Sequence, residues 1–228
     1  MFISKKYIDI SVSGTMTIAQ KAIEMKSIGM DVIDLSVGEP DFPTPLNIKE
    51  AAKHDIDLNK TKYTINAGLK ELREAVALRL KNDFGLNYGI NEIIITSGAK
   101  HAIYNSIQTI LDPGDEVLIP LPYWVSYPYM VKMGGGVTVF IDTDQDSEFK
   151  LTPEKLEKAI NNKTKALILC NPSNPTGTVY SKNDLEAMGE ILKGKKICVI
   201  SDEIYSRLIY DNKISVMKEL LTIFYLLV

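Results

Sequence analysis

Short aliphatic runs alternating with segments of helical periodicity are the feature that most narrows what this chain can fold into. The runs at residues 92–96, 116–119, 137–141, 166–170 and 197–200 are dominated by Ile, Val and Leu. Several are almost continuously apolar, as strands covered on both faces of a sheet are. Between and before them, residues 45–53, 68–82, 100–111, 153–160 and 182–192 carry the spacing of amphipathic helices. This alternation predicts βαβ units and a mostly parallel α/β sheet. Residues 1–44 have a different texture, with a helix predicted over 17–28, a short strand over 32–35, and then the turn-rich "GEPDFPTP". They read as an N-terminal arm and part of a smaller domain, with the large domain over residues 45–228.

At 228 residues and 45% hydrophobic, the chain is large enough to bury a core. A net charge of -3 with scattered lysines gives no general attraction to nucleic acid or to an anionic membrane, so neither is an expected partner. No stretch approaches the roughly 18 apolar residues of a membrane span. The N-terminal "MFISKKYIDI" lacks the apolar centre of a signal peptide, and a cytoplasmic location is expected. Cys170 and Cys198 sit inside apolar runs and read as buried reduced thiols, with no Cys/His cluster to suggest zinc. The dense apolar tail "KELLTIFYLLV" reads either as a C-terminal core helix or as the mark of an interrupted reading frame.

Four loops, each expected to follow a strand, carry the chemistry. In "IIITSGAKHA" a small-residue turn opens a helix, leaving backbone N–H groups at the positive end of a dipole where a phosphate can sit. The same turn is also common for packing alone. "PLPYWVSYP" holds Trp124, the only tryptophan, between Tyr123 and Tyr127, a stacking surface if it faces a cleft. "NPSNPTG" is a proline-fixed loop carrying two amide side chains at a strand end, the edge where ligands bind in open α/β sheets. "SDEIYSRLIYD" places Asp202 directly after an apolar run, where a desolvated carboxylate calls for a cationic partner, and Tyr205 three positions later. An anion cradle, an aromatic plate, an amide and a carboxylate suit a flat, phosphorylated, protonatable heterocycle, and pyridoxal phosphate answers that description.

"SVGEPDFPTP", "TKYTINAGLKELREAV", "SGAKHAIYN", "DPGDEVLIPLPYWVSYP", "NPSNPTG" and "SDEIYSRLIY", in this order, closely resemble the class I/II, fold type I aminotransferases, especially the bacterial aspartate aminotransferase subgroup. The resemblance implies a pyridoxal-phosphate-dependent transferase fold and amino-group transfer from aspartate, or a similar amino acid, to a 2-oxo acid. By resemblance, Gly98, Ala99 and Lys100 bracket the cofactor phosphate and Trp124 lies on the ring face. Asn174 and Tyr205 then bond the ring's phenolic oxygen, and Asp202 pairs with the ring nitrogen. Tyr63 matches a tyrosine that reaches the phosphate of the neighbouring subunit, implying a homodimer. Gly38, with Trp124 and Asn174, falls in the substrate-binding set.

The family's Schiff-base lysine stands on a later strand, in a Ser-x-Ser/Ala-Lys context. Lys213 and Lys218, the lysines after the Asp202 loop, lie in "DNKIS" and "SVMKEL", which do not match it. The arginine that grips the substrate carboxylate is unmatched too, and Ser11 stands near where some aspartate/prephenate members carry a lysine. The expectation is an inactive, C-terminally truncated fragment whose large-domain sheet is incomplete. Two interior strands would face no partner, giving poor stability. The alternatives are a non-catalytic remnant, one half of a split protein, or another fold type I enzyme such as a C–S lyase or decarboxylase.

Overall fold

A computed structural model describes residue 2, residues 14–39 and 42–210, and the backbone of residues 223–226. Two compact units make up the chain, Met1–Leu69 and Lys70–Val228.

In the first unit, α1 (Gly14–Ser27) buries Ala19 and Ala22, while α2 (Leu46–Asp57) buries none of its side chains. The strand predicted over residues 32–35 does not form. Asp34 Oδ1 accepts both the backbone N–H of Ser36 at 3.0 Å and its hydroxyl at 2.6 Å, a local turn that competes with strand pairing.

The second unit opens with α3 (Lys70–Phe84) and a 3-10 turn at Ile90–Glu92. Then follow α4 (Ala99–Ile110), β1 (Glu116–Pro120), α5 (Tyr127–Met133), β2 (Val137–Ile141), α6 (Pro153–Ala159), β3 (Thr164–Cys170), α7 (Lys182–Leu192), β4 (Cys198–Asp202) and β5 (Ile223–Leu226). The sheet order is β2-β1-β3-β4-β5, and every pairing is parallel.

The apolar runs are explained by burial on both faces. Val117, Ile119, Ala166, Ile168 and Ile200 point into one cluster with Ile103 and Ile107 of α4 and Met130 and Val131 of α5. Leu118, Leu167, Leu169 and Val199 point into the other, with Leu156 of α6 and Leu185, Met188 and Leu192 of α7. Successive residues thus serve opposite faces with no polar position between them. Each fully buried Ile or Leu contributes about 1.5–3 kcal/mol relative to an exposed one. Ser181 begins α7 with a capping box, accepting from Asp184 N at 3.2 Å while Asp184 Oδ2 accepts from Ser181 N at 2.8 Å.

Three further expectations change, and one helix appears that was not expected. Residues 93–96 join no strand of the described sheet, with Ile93 buried and Ile94 71% exposed. An apolar run becomes a strand only where a neighbour accepts its ladder. A bare edge is predicted beside β4, but β5 lies there in parallel register, from Val199 opposite Ile223 to Asp202 opposite Leu226. That strand also sets part of the apolar tail as extended backbone rather than helix. Helix α5 was not predicted; its Pro128 stands in the first turn, where proline is well tolerated.

The sheet grows outward from β1 to β2 and then reverses to place β3 on β1's other side. Between the C-terminal ends of β1 and β3 lies the crevice where doubly wound sheets bind ligands. A water-sized cavity of about 20 Å³ sits there, with Ile119, Tyr127, Cys170, Ser173, Asn174 and Tyr180 among its walls.

Candidate functional site

Four backbone segments converge on the C-terminal edge of the sheet. Asp202 is the last residue of β4 and is 3% exposed. Its Oδ2 accepts a 2.7 Å hydrogen bond from the Tyr127 hydroxyl, and Oδ1 accepts from Ile204 N at 3.3 Å. Among the described residues no Lys, Arg or His forms an ion pair with it. Burial raises its pKa, and the bonds from Tyr127 and Ile204 pull it back part of the way. Burial, the Asp202 charge and the bond to it hold the Tyr127 phenol protonated.

Tyr127 opens α5 three residues after Trp124, and their rings meet edge-on, 5.3 Å apart at 83°. Over the Trp124 ring, 4.9 Å from its centroid, lies the Lys100 ammonium. Lys100 is the second residue of α4, whose N-cap is Gly98 at φ +82° and ψ 165°. A side chain at Gly98 would meet no atom within 4 Å, so the cradle beside it is open. Thr96 Oγ1 donates to Gly98 O at 3.0 Å, and Ser97 N donates to His101 Nδ1 at 3.3 Å, fixing the turn. Ala99 is buried beneath it. This turn follows irregular backbone rather than a strand, so three of the four loops, not all, leave strand ends.

The third segment is the proline-rich loop after β3. Asn171 N donates to Asp202 O at 2.9 Å, and Asn171 Oδ1 accepts from Tyr180 N at 3.0 Å, clamping the loop to β4 and to its own far end. Within it Gly177 N donates to Ser173 O and Ser173 N to Thr178 O, both at 2.9 Å. Tyr180 in turn accepts Leu151 N at 2.7 Å through its hydroxyl. So braced, Asn174 donates from Nδ2 to the Tyr205 hydroxyl at 3.2 Å, an amide and a phenol paired across the loops after β3 and β4.

Of the predicted residues, Lys100 and Trp124 touch, and Asn174 and Tyr205 touch, while Asp202 joins Trp124 through Tyr127. Gly38 and the fully exposed Tyr63 belong to the first unit. Ser11, Lys213 and Lys218 lie outside the described residues. Sequence reasoning gave Tyr127 no role toward Asp202 and read Cys170 as a buried thiol without placing it beside the site, where its thiol donates to Pro172 O at 3.2 Å. Burial, with the Asp202 charge, pushes that thiol up to about 12. Both cysteines are free, as expected, but half-buried rather than fully buried. The signal for Tyr127 was its place three residues beyond Trp124, where a turn lets Tyr127 N donate to Trp124 O at 3.1 Å just ahead of α5.

A parallel sheet with a buried carboxylate, an amide–phenol pair and an indole at one edge is an α/β architecture that solved structures place more closely. The aspartate aminotransferase from Thermus thermophilus, solved with maleate, superposes with a TM-score of 0.92 at 42% identity, covering 95% of this chain and 57% of that one. The chain belongs to the aminotransferase class I and II family, whose model matches residues 30–225. It is 46% identical over 212 residues to the aspartate aminotransferase of Geobacillus stearothermophilus, covering 93% of this chain and 54% of that protein. It is 45% identical over 201 residues to the aspartate/prephenate aminotransferase of Thermus thermophilus, covering 88% and 52%. The chain thus spans about half the length of the curated relatives it matches. Members of this family use pyridoxal phosphate.

Proposed function

We propose that this chain carries the ring-holding part of an aspartate aminotransferase-like site. One observation carries the reading: a buried Asp202 carboxylate whose side chain, among the described residues, is hydrogen-bonded by neutral donors, the Tyr127 phenol and the Ile204 amide. A carboxylate desolvated in this way favours a cationic partner, and a protonated ring nitrogen is one. The open cradle at Gly98, the indole of Trp124 and the Asn174–Tyr205 pair suit the rest of the same molecule.

When bound, pyridoxal phosphate supplies an electron sink for the α-carbon of an amino acid. Asp202 would hold a proton at the ring nitrogen. Asn174 and Tyr205 would orient the ring through its phenolic oxygen, and Trp124 would exclude water from one face. Gly98, Ala99 and Lys100 would bind the phosphate through the start of α4. Gly38, with Trp124 and Asn174, would contact the substrate, and Tyr63 would complete the site of a neighbouring subunit in a homodimer. Residues 1–44 would then be arm and small domain, and 45–228 the partial cofactor domain. Maleate, present in the solved Thermus thermophilus relative, is a four-carbon dicarboxylate, which supports aspartate as amino donor and a 2-oxo acid as acceptor. A cytoplasmic location goes with this reading.

No lysine of the 228 residues stands in the family's Schiff-base context, so the chain is proposed to hold the cofactor without transaminating. Equilibrium dialysis against pyridoxal phosphate should saturate at one per chain, while aspartate and 2-oxoglutarate are not converted. Absence of saturable binding overturns the first half, and turnover at ordinary enzymatic rates overturns the second.

A further inference from the structure

Two consecutive residues with side chains, Glu148 and Phe149, stand in the left-handed backbone region at φ +53° and +56°. That region is costly for anything but glycine and persists only where the surroundings impose it. Here the proline-rich loop after β3, which carries Asn174, helps impose it. Thr178 Oγ1 donates to Glu148 O at 2.8 Å and the Tyr180 hydroxyl accepts Leu151 N at 2.7 Å, so the loop grips the chain on both sides of Phe149. On the opposite side Phe149 N donates to Asp144 O at 2.7 Å, and Asp144 is fixed in turn by Lys155 Nζ at 2.6 Å and Ser147 N at 2.8 Å. The outcome is a phenyl ring, 39% exposed, in the wall of the water-sized cavity that Ser173 and Asn174 also line. The Asn174 side chain itself is tied to Tyr205 at 3.2 Å, so its remaining restraint comes from packing.

We propose that Phe149 is a positioning residue for Asn174. The strained pair seats the phenyl ring against the cavity, and the ring keeps the Asn174 amide aimed at the phenolic oxygen of a bound heterocycle. This rests on the cofactor reading above and adds a residue that acts through another. A hydrogen bond weakens steeply once its donor turns away from the acceptor, so loosening Asn174 costs ligand contact although the amide is still present. Phe149→Gly separates this role from folding. Glycine adopts φ +56° freely, so relief of backbone strain offsets part of the packing lost with the ring.

Equilibrium dialysis of two ligands tests the proposal. One is pyridoxine 5'-phosphate, which lacks the aldehyde and cannot link to lysines, and the other is the same compound without its 3-hydroxyl. The ratio of their dissociation constants reads the contact to the phenolic oxygen, while a general loss of affinity cancels. A hydrogen bond to a charged oxygen predicts a wild-type preference of about tenfold or more for the hydroxylated ring. In F149G that preference should fall by about threefold or more, with the 3-deoxy ring bound as before, and F149L, which keeps apolar bulk, should retain it. T178V removes the bond to Glu148 O, leaves the phenyl ring in place and should shift the ratio in the same direction. A ratio within about twofold of wild type in F149G, or in T178V where F149G does not fold, overturns the role of Phe149 alone. A wild type that binds both rings equally overturns the Asn174 contact, and one that binds neither overturns the cofactor reading; each takes this inference with it.

Discussion

The Tyr127 hydroxyl donates a 2.7 Å hydrogen bond to Asp202 Oδ2 across 75 positions of sequence, joining the start of α5 to the end of β4. Both groups are buried, at 2% and 3% exposure, so water does not replace the bond if it is broken. Tyr127→Phe keeps the ring and removes the donor. Loss of a buried bond to a charged group costs about 1.5–3 kcal/mol, read as a lower urea midpoint with an unchanged slope. A midpoint equal to wild type would contradict the account.

Asp202 also sets a pH dependence. Burial raises its pKa in the folded protein, so the folded state keeps the proton to higher pH than the unfolded chain. The stability tied to this group is complete below the unfolded carboxylate value of about 3.9 and is lost as pH rises through the raised folded value. Asp202→Asn removes that loss, since an amide there can accept from Ile204 N and donate to the Tyr127 oxygen. The unliganded variant should melt at a higher temperature than wild type at pH 7, with the difference closing toward pH 4. An unchanged or lower melt at pH 7 counts against a desolvated charge at this position.

Cys170 should be inert while the protein is folded. A thiol at about 12 leaves roughly one thiolate in ten thousand at pH 8. Iodoacetamide at that pH, followed by peptide mass mapping, should label Cys170 in urea and spare it in buffer. Labelling of the folded protein at the rate of a free thiol would show that Cys170 is not held as described.

Two glycines should fail for different reasons when changed to alanine. At Gly136 the added carbon would lie 2.7 Å from Leu111 Cδ1, 3.1 Å from Val131 Cγ1 and 3.2 Å from Asp115 O, an overpacking that costs about 1–3 kcal/mol. At Gly98 there is room, but φ +82° with ψ 165° is a region open essentially to glycine alone, and a side chain there costs about 1–3 kcal/mol. Urea midpoints of both variants check this, and wild-type stability in either would contradict its assignment.

How much was legible in the sequence follows from which interactions are local. The strands at residues 116–119 and 166–170 could be read because burial on both faces leaves little room for polar residues, whereas 137–141, an edge strand with Val137 and Phe140 exposed, could be read from its β-branched residues; Ser181 with Asp184 marks the start of α7. The run at 92–96 was misread as a strand because pairing depends on a distant neighbour that the run itself does not specify. Residues 32–35 were misread because the Asp34 side chain takes the N–H of Ser36. Asp202, Asn174, Trp124 and Tyr205 were visible as chemistry-bearing residues after apolar runs. Their links through Tyr127 and through the Asn174–Tyr205 bond depend on the strand order β1-β3-β4, which brings distant loops to one edge.

The central claim is that Asp202 meets a ring nitrogen, and nitrogen NMR of ring-¹⁵N-labelled pyridoxine 5'-phosphate bound to wild type and to Asp202→Asn tests it most directly. The account predicts a protonated pyridine nitrogen in wild type at neutral pH and an unprotonated one in the variant. The same protonation state in both proteins would contradict it.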